Sequence, residues 1–365
     1  MRIALASDAW TPQTNGVVTT LKATAETLRK LGHEVRVISP QGLRSIACPS
    51  YPEIRLAVAP GAHIAGQLQS FRPHAIHVAT EGPVGLAVRG YCRARGLPFS
   101  TSYHTRYPEY LRARWPVPLA VSYAWLRHFH GAAARTFISS ATLKAQLTQR
   151  GFQNLHLWRR GVDLRRFRAL PAHHELAGLP RPIVACVGRL AVEKNLPAFL
   201  GLELPGTKVM IGDGPQRAAL ARRYPQALFT GYRFGDELAS LLAGADVLAF
   251  PSLTDTFGLT MIEALACGVP VAAFPVPGPL DVIEQGVTGV LHTDLAVAIT
   301  CALGLDRGVC ARRAAGFTWE AATAQFLAGL APIPRPVRAS LAVRRSSAMI
   351  APVVARRQTS EAGDV

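Results

Sequence analysis

Two acidic residues, Asp255 and Glu263, are separated by seven residues where a strand pattern gives way to a helix pattern. The apolar run 245–250 predicts a buried strand that stops at Pro251, and residues 258–267 predict a short helix. A helix that follows a strand and a polar loop points its free N–H groups at the carboxyl edge of a sheet, where anions bind. The spacing therefore predicts a pocket for an anionic ligand with both carboxylates at its border.

Two cations, Arg189 and Lys194, are five residues apart directly after another predicted strand, residues 183–188. Guanidinium and ammonium groups in this position suit a diphosphate, because they neutralise the charge that it gains when it leaves a sugar. Two solvated surface cations are the alternative interpretation of the same pair.

The segment 251–270 resembles the E-x7-E segment of retaining glycosyltransferases of family 4, which have two Rossmann-like domains (the GT-B fold). The resemblance implies that Asp255 contacts the transferred sugar and that Glu263 binds the nucleotide ribose. The N–H groups implied to hold the diphosphate are those of Phe257, Gly258 and Leu259. This chain departs from the family pattern by carrying Asp, one methylene shorter, at the first acidic position. A helix-capping Asp and a surface Glu are the alternative interpretation.

Further motifs of the same family follow along the chain in the expected order. The resemblance implies that Gly16 lets the backbone approach the donor, and that His104, in a Ser-Tyr-His-Thr segment, lies beside the sugar and the acceptor. It implies that Arg189 and Lys194 bind the diphosphate. The remaining implied donor-binding positions, in a turn near the nucleotide, are Gly212 and Gly214. An ordinary loop glycine and a strand-end histidine satisfied by the backbone are the alternatives for Gly16 and His104.

The elements around these motifs predict an α/β protein. The resemblance implies the GT-B type, with two Rossmann-like α/β/α domains facing a central cleft. Strand 2–7, helix 17–31 and strand 34–39 open the chain, without the G-x-G-x-x-G of a dinucleotide site. Residues 40–70 form a looser stretch than a full βα repeat. The expected domains are an acceptor-side domain at 1–170, a donor-side domain at 171–331 and a disordered Arg- and Pro-rich tail at 332–365.

The net charge of +17 is concentrated in the first half of the 365-residue chain. Residues 1–170 contain 23 Lys or Arg and 7 Asp or Glu, whereas residues 171–331 contain 11 and 14. Such a cationic half suits an anionic membrane surface, and the interleaved Arg and aromatic residues of 106–118 suit a membrane interface. Counterions around a solvated face are the alternative. Nucleic acid is not expected, because no recognition motif accompanies the charge. The aromatic stripe of the predicted helix 119–130 suits the protein core.

Location and chemistry can also be anticipated from what the sequence contains. It has no apolar run long enough to span a bilayer, no secretory signal at its start and six cysteines without a C-x-x-C pair. We therefore expect a cytoplasmic protein with reduced, buried thiols, peripheral on the inner face of the membrane. No cofactor, no metal ion and no obligate protein partner are expected, since cations supply the neutralising charge.

Together with these patterns, the resemblance implies a retaining, metal-independent hexosyltransferase. It would move a hexose from a nucleoside diphosphate sugar, with a UDP-sugar preferred, to a hydroxyl of a membrane lipid such as diacylglycerol or a related glycolipid. One alternative is a GDP-mannose-dependent mannosyltransferase acting on a soluble or polysaccharide acceptor. An alternative of another class is a membrane-binding protein with a relict donor pocket.

Overall fold

A computed structural model gives the fold and describes residues 1–48 and 51–334. Its core is two six-stranded parallel sheets flanked by helices, both within one compact unit, Met1–Ile333. The predicted α/β class is therefore confirmed. From residue 335 onward the predicted tail lies outside the described residues.

The described residues of the first half of the chain form eight strands and six helices. In order they are β1 (Arg2–Ala6), α1 (Gly16–Lys30), β2 (Glu34–Ile38), β3 (Ser45–Cys48), β4 (Tyr51–Ala57), α2 (Gly61–Phe71), β5 (Ala75–Val78), α3 (Pro83–Ala94), β6 (Ser100–Ser102), α4 (Tyr107–Arg114), α5 (Leu119–Gly131), β7 (Arg135–Ile138), α6 (Ala141–Gln149) and β8 (Leu155–Leu157). The looser stretch at 40–70 folds as the antiparallel hairpin β3–β4 followed by α2.

The second half contains β9 (Ile183–Val187), α7 (Pro197–Leu200), β10 (Thr207–Ile211), α8 (Arg217–Arg223), β11 (Leu228–Gly231), α9 (Gly235–Gly244), β12 (Val247–Phe250), α10 (Leu259–Ala266), β13 (Val271–Ala273), α11 (Pro279–Val282), β14 (Gly289–Leu291), α12 (Leu295–Ala302), α13 (Arg307–Ala314) and α14 (Trp319–Gly329). Short 3₁₀ turns cover His174–Leu176 and Val192–Lys194.

The strand orders explain where a ligand can bind. The first sheet runs β2-β1-β5-β6-β7-β8 and the second runs β11-β10-β9-β12-β13-β14. In each sheet the chain first adds strands on one side of the sheet's first strand. It then crosses over and adds the remaining strands on the other side. The crevice at this reversal, beyond the carboxyl ends of β1 and β5 or of β9 and β12, is the usual ligand position in open α/β sheets.

The local sequence determines where α1, the helix that begins near this edge of the first sheet, starts and ends. The side chain of Asn15 accepts hydrogen bonds from the N–H groups of Val17 and Val18 and so caps α1. Arg29 and Lys30 lie in its last turn, where positive charge stabilises the helix dipole. The predicted helix 17–31 is thus confirmed within one residue at each end.

The last helix returns to the first sheet. Phe326 and Leu330 pack in one hydrophobic cluster with Phe137 and Trp158 of the first half, and α14 lies against α1. The predicted donor-side range 171–331 therefore includes a helix that completes the other sheet's core. The boundary at residue 170 itself stays a prediction.

Two smaller expectations are corrected by burial. In α5 the residues Tyr123, Leu126 and Phe129 are buried as expected of a core stripe, but Trp125 of the same stripe is 46% exposed. All six cysteines are free thiols, yet Cys301 is exposed. No helix among the described residues is both long and apolar enough to span a membrane.

Candidate active site

A cleft of about 990 Å³ is lined by loops from the carboxyl edges of both sheets. Ten of the eleven site residues predicted from the sequence line it: Gly16, His104, Arg189, Lys194, Gly212, Asp255, Phe257, Gly258, Leu259 and Glu263. The eleventh, Gly214, lies outside the lining. The fold thus brings together positions that are up to 247 residues apart in the sequence.

Lys194 and Asp255 form a close ion pair inside the cleft. The Lys194 Nζ lies 2.6 and 2.8 Å from the two carboxylate oxygens of Asp255. Asn195, which ends the 3₁₀ turn in the left-handed conformation, donates from Nδ2 to the Pro251 carbonyl at 3.1 Å. This bond ties the loop after β9 to the end of β12. The ammonium and the carboxylate are therefore held together before any ligand binds, a pairing that the sequence did not predict.

Arg189 follows β9 and lines the same part of the cleft. Burial lowers the pKa of its guanidinium, while the nearby charge of Glu193 favours the protonated form. Glu193 also binds Arg114 of α4 at 2.6 Å, so the turn that bears Lys194 is fastened to the first half of the chain.

The N-terminus of α10 faces the cleft without a side-chain cap. Gly258 precedes the helix with φ of +89° and, as a glycine, supplies no side-chain cap to its first N–H groups. Such uncapped N–H groups and the positive end of the helix dipole bind anions. Across the cleft, a Cβ at Gly16 would lie 3.6 Å from Leu259 Cδ1. This is ordinary contact distance, so the protein atoms alone do not require glycine at position 16.

Glycine is required at position 212. Its φ is +144°, and a Cβ there would lie 2.0 Å from the Gly188 carbonyl oxygen. A Cβ at Gly214 would lie 2.6 Å from the Leu190 carbonyl oxygen. Both glycines let the loop after β10 pack against the loop after β9, which carries Arg189. In the structure, Gly212 and Gly214 therefore serve to position the loop that carries Arg189.

Glu263 lies one turn into α10 and lines the floor of the cleft. Burial raises the pKa of its carboxyl from 4.5 to about 7, against the opposing effect of the Arg166 charge. A carboxyl in this environment is poised to accept hydrogen bonds from ligand hydroxyl groups, since each such bond favours its ionised form.

The shifted pKa predicts a stability difference for Glu263→Gln. A raised folded-state pKa means that the stabilising contribution of this carboxyl is complete below pH 4.5 and is lost as the pH rises through about 7. Glutamine mimics the protonated acid at every pH. The variant should therefore be more stable than the wild type at pH 8, by up to about 3 kcal/mol, and no more stable at pH 4. Urea unfolding at the two pH values measures this difference.

The matched control is Glu284→Gln, because Glu284 is a surface carboxylate paired with Arg313. It should show no gain at pH 8. Equal stability of the Glu263→Gln variant and the wild type at both pH values would contradict a raised carboxyl pKa at this site.

His104 follows β6 by two residues and lines the wall of the cleft that the first half of the chain forms. Its carbonyl accepts from Thr256 Oγ1 at 2.8 Å, and the Thr256 carbonyl accepts from Ser139 Oγ at 2.7 Å. The loop that carries Asp255 is therefore anchored to the first half of the chain at His104 and at Ser139.

Sequence reasoning missed two groups on this wall. Arg160, in the loop after β8, donates to His104 Nδ1 at 3.1 Å. Asp8 accepts from Thr80 Oγ1, Val84 N and Gly85 N at 2.8–3.2 Å, and burial raises its pKa. An acid placed directly after β1 and a Pro at the start of α3 were the available signals for this second group.

One set of adjacent ligand-type side chains occurs in the described part of the chain: His173, His174 and Glu175. None of them lines the cleft, and Glu175 already binds Arg233 at 2.6 Å. A guanidinium so close opposes a second cation there. The expectation of a metal-independent reaction stays a prediction.

The chain matches two family models that together span most of the fold. The model of Glycosyltransferase Family 4 covers residues 14–166, and that of Glycosyl transferases group 1 covers residues 181–304. A GDP-mannose-dependent alpha-mannosyltransferase of Mycobacterium tuberculosis is 34% identical over 80% of this chain and 83% of its own. A GDP-mannose-dependent alpha-(1-6)-phosphatidylinositol dimannoside mannosyltransferase of the same species is 28% identical over 90% and 96%.

Among solved structures, sucrose-phosphate synthase of Thermosynechococcus elongatus superposes with a TM-score of 0.71 over 90% of this chain and 97% of its own, at 20% identity. At this identity the likeness speaks for the fold alone, and the fold is GT-B. The chain belongs to glycosyltransferase family 4 and is a glycosyltransferase that uses a nucleotide sugar.

Proposed function

We propose that this protein transfers mannose from GDP-mannose, with retention of configuration, to a hydroxyl group of a membrane glycolipid. The observation that carries the proposal is the cleft at the strand-order reversal, with Arg189, Lys194 and the uncapped end of α10 on one wall and His104 on the other. We propose GDP-mannose as the donor in place of the UDP-sugar expected from the sequence, because the 34%-identical relative is named as GDP-mannose-dependent.

In this proposal the second half of the chain binds the donor. Arg189, Lys194 and the N–H groups at Phe257, Gly258 and Leu259 stabilise the charge of the leaving diphosphate. Asp255 would orient both the Lys194 ammonium, which it already contacts, and the sugar hydroxyls. Glu263 accepts from the ribose.

A thermal-shift panel with GDP, UDP, ADP and their sugars tests the donor. A ligand at 100 times its dissociation constant adds about 2.7 kcal/mol of stability, a readily measured shift. GDP and GDP-mannose should raise the melting temperature more than the uridine and adenosine compounds. A selective response to UDP would restore the UDP-sugar alternative, and no response to any nucleotide would support a relict pocket.

The lipid acceptor is supported by one wall of the cleft. Exposed apolar side chains of α4, α5 and the segment between them continue from the cleft to the surface: Tyr107 (40% exposed), Trp115 (44%), Val121 (62%) and Trp125 (46%). The sequence 107–162, which includes all four, contains eight Lys or Arg and a single acid, Glu109. An apolar surface in cationic surroundings suits an anionic bilayer. The phosphatidylinositol dimannoside enzyme among the relatives is named for a lipid acceptor.

This surface predicts a membrane-binding phenotype. Replacing Trp115 and Trp125 together by serine should lower partitioning onto anionic vesicles about tenfold or more, since each indole contributes roughly 1 kcal/mol when it leaves water. Sedimentation with phosphatidylglycerol vesicles measures the effect. The control replaces Val297 and Leu303, exposed apolar residues of the other half, by serine. Equal partitioning of the two double variants would remove the support for this docking surface.

A further inference from the structure

His104 and Arg160 form a pair in the wall of the cleft, and its geometry fixes the state of the imidazole. Arg160 Nη2 lies 3.1 Å from His104 Nδ1. A guanidinium has only N–H groups and no acceptor, so Nδ1 must accept this hydrogen bond. An imidazolium has no free lone pair with which to accept. The ring is therefore neutral, and its one proton is on Nε2.

The surroundings of His104 favour the same neutral state. Burial lowers the pKa of the imidazole well below its ordinary value, and the nearby charge of Arg160 and the rings of His77 and His130 lower it further. These groups come from β5, α5 and the end of β8, the elements that pack around the ring. Trp158 contacts the ring edge-on, with centroids 5.7 Å apart, and brings no charge of its own.

The other ring nitrogen is left for a ligand. Nε2 of His104 is buried and has no hydrogen-bond partner among the described residues, while His104 itself lines the cleft. Buried N–H groups are nearly always satisfied in folded proteins, so an unsatisfied one at a ligand cleft points to an oxygen supplied by the ligand.

Arg160 is held rigidly enough to impose this arrangement. It is 4% exposed, donates to the Trp158 carbonyl at 2.5 Å, and has its guanidinium carbon 4.5 Å from the centre of a Trp158 ring. Burial lowers its pKa to about 9, which leaves it cationic at neutral pH. No carboxylate of the described residues forms an ion pair with it, so its contacts are two carbonyls, an indole and His104.

The turn after Arg160 is locked by a close backbone crossing. A Cβ on Gly161 would lie 2.4 Å from the Trp319 backbone nitrogen, and Val162 N donates to the Phe317 carbonyl at 3.0 Å. The chain that leads into α14 thus holds the end of β8, and with it Arg160, in register with His104.

We propose that Arg160 is a positioning residue for glycosyl transfer: it fixes His104 in the tautomer with the proton on Nε2, so that His104 donates a hydrogen bond to a substrate oxygen and does not act as a base. The proposal rests on the proposed function. In the transfer, the bond from the anomeric carbon to the donor phosphate breaks with its electron pair going to the diphosphate. The acceptor oxygen bonds to that carbon, and the acceptor proton ends on the diphosphate, because Nε2 of His104 already carries a proton and Nδ1 is bonded to Arg160.

The tautomer is measured directly by NMR of protein labelled with ¹⁵N in histidine, with the His104 signals assigned by their loss in His104→Gln. We expect a non-protonated Nδ1 and a protonated Nε2 between pH 6 and 8. In Arg160→Met the Nδ1 signal should move and the tautomers should mix, whereas Arg159→Met, a neighbouring exposed arginine, should leave both nitrogens unchanged. A protonated Nδ1, or a ring that titrates within this range in the wild type, would overturn the proposal.

Kinetics test the consequence for transfer. Arg160→Met should lower kcat at least tenfold with the KM for GDP-mannose within twofold, and Arg160→Lys should recover part of the loss. A kcat for Arg160→Met within twofold of that of Arg159→Met would also overturn the proposal. If no donor supports transfer, the proposed function fails, and the wild-type nitrogen signals still decide whether Arg160 sets the tautomer.

Discussion

Replacing Lys194 by alanine is expected to lower kcat/KM for glycosyl transfer about a thousandfold while the fold stays intact. The loss of one preorganised group that stabilises developing charge typically costs two to three orders of magnitude. Here the loss falls at the upper end, because the variant also leaves the Asp255 carboxylate unpaired in the cleft, 2.6 Å from where the ammonium was. That carboxylate would then repel the diphosphate, so GDP should bind more weakly too.

The matched control for this variant is Lys144→Ala, since Lys144 is an exposed lysine of α6 outside the cleft lining. It should keep wild-type turnover. Near-normal turnover in Lys194→Ala, measured as GDP release from GDP-mannose with acceptor present, would remove Lys194 from the reaction and with it the assignment of the donor site.

Replacing Asp255 by asparagine should separate binding from turnover. The change keeps the shape of the side chain and removes its charge, so Lys194 becomes free to bind the diphosphate. We expect GDP to bind at least as tightly as in the wild type, while kcat falls by about a hundredfold or more because the transferred sugar loses a charged acceptor for its hydroxyls. Calorimetric titration with GDP and steady-state kinetics measure the two effects.

The informative result is the difference between the two variants: GDP affinity should fall in Lys194→Ala and should not fall in Asp255→Asn. Weaker GDP binding in Asp255→Asn would show that this carboxylate supports the nucleotide directly, which contradicts the role given to it. Asp236→Asn is the control, because Asp236 is almost fully exposed and makes only a 3.5 Å contact with Arg166. It should change neither quantity.

The sequence was sufficient to predict the elements that carry the site. Continuous apolar runs bounded by loop residues predict β9, β12 and α10 within two residues, since buried parallel strands and a helix that ends at a glycine leave strong local patterns. The motifs at the ends of these strands then had to meet, because the carboxyl ends of parallel strands share one edge. This shared edge accounts for the predicted residues of the second sheet that line the cleft, whereas Gly16 and His104 reach it from the first sheet.

Side-chain pairing within the cleft could not be predicted in the same way. Lys194 and Asp255 are 61 residues apart, and their contact depends on how the loops after β9 and β12 pack. Arg160 and His104 are 56 residues apart and meet only because β6 and β8 lie two strands from each other in the sheet. No local pattern encodes such contacts. The packing of α14 against the first sheet was not predicted for the same reason, since the sequence pattern of a helix is the same whichever sheet it packs against.

The most direct test of the proposed function is transfer from GDP-mannose labelled with ¹³C in the sugar. Purified protein is incubated with anionic vesicles that contain diacylglycerol and a monohexosyl diacylglycerol, with labelled UDP-glucose in a parallel reaction. We expect labelled mannose in the lipid fraction, in the α configuration of the donor by NMR, and none with Lys194→Ala. A β-linked product would contradict retention. Transfer from UDP-glucose with none from GDP-mannose would contradict the proposed donor.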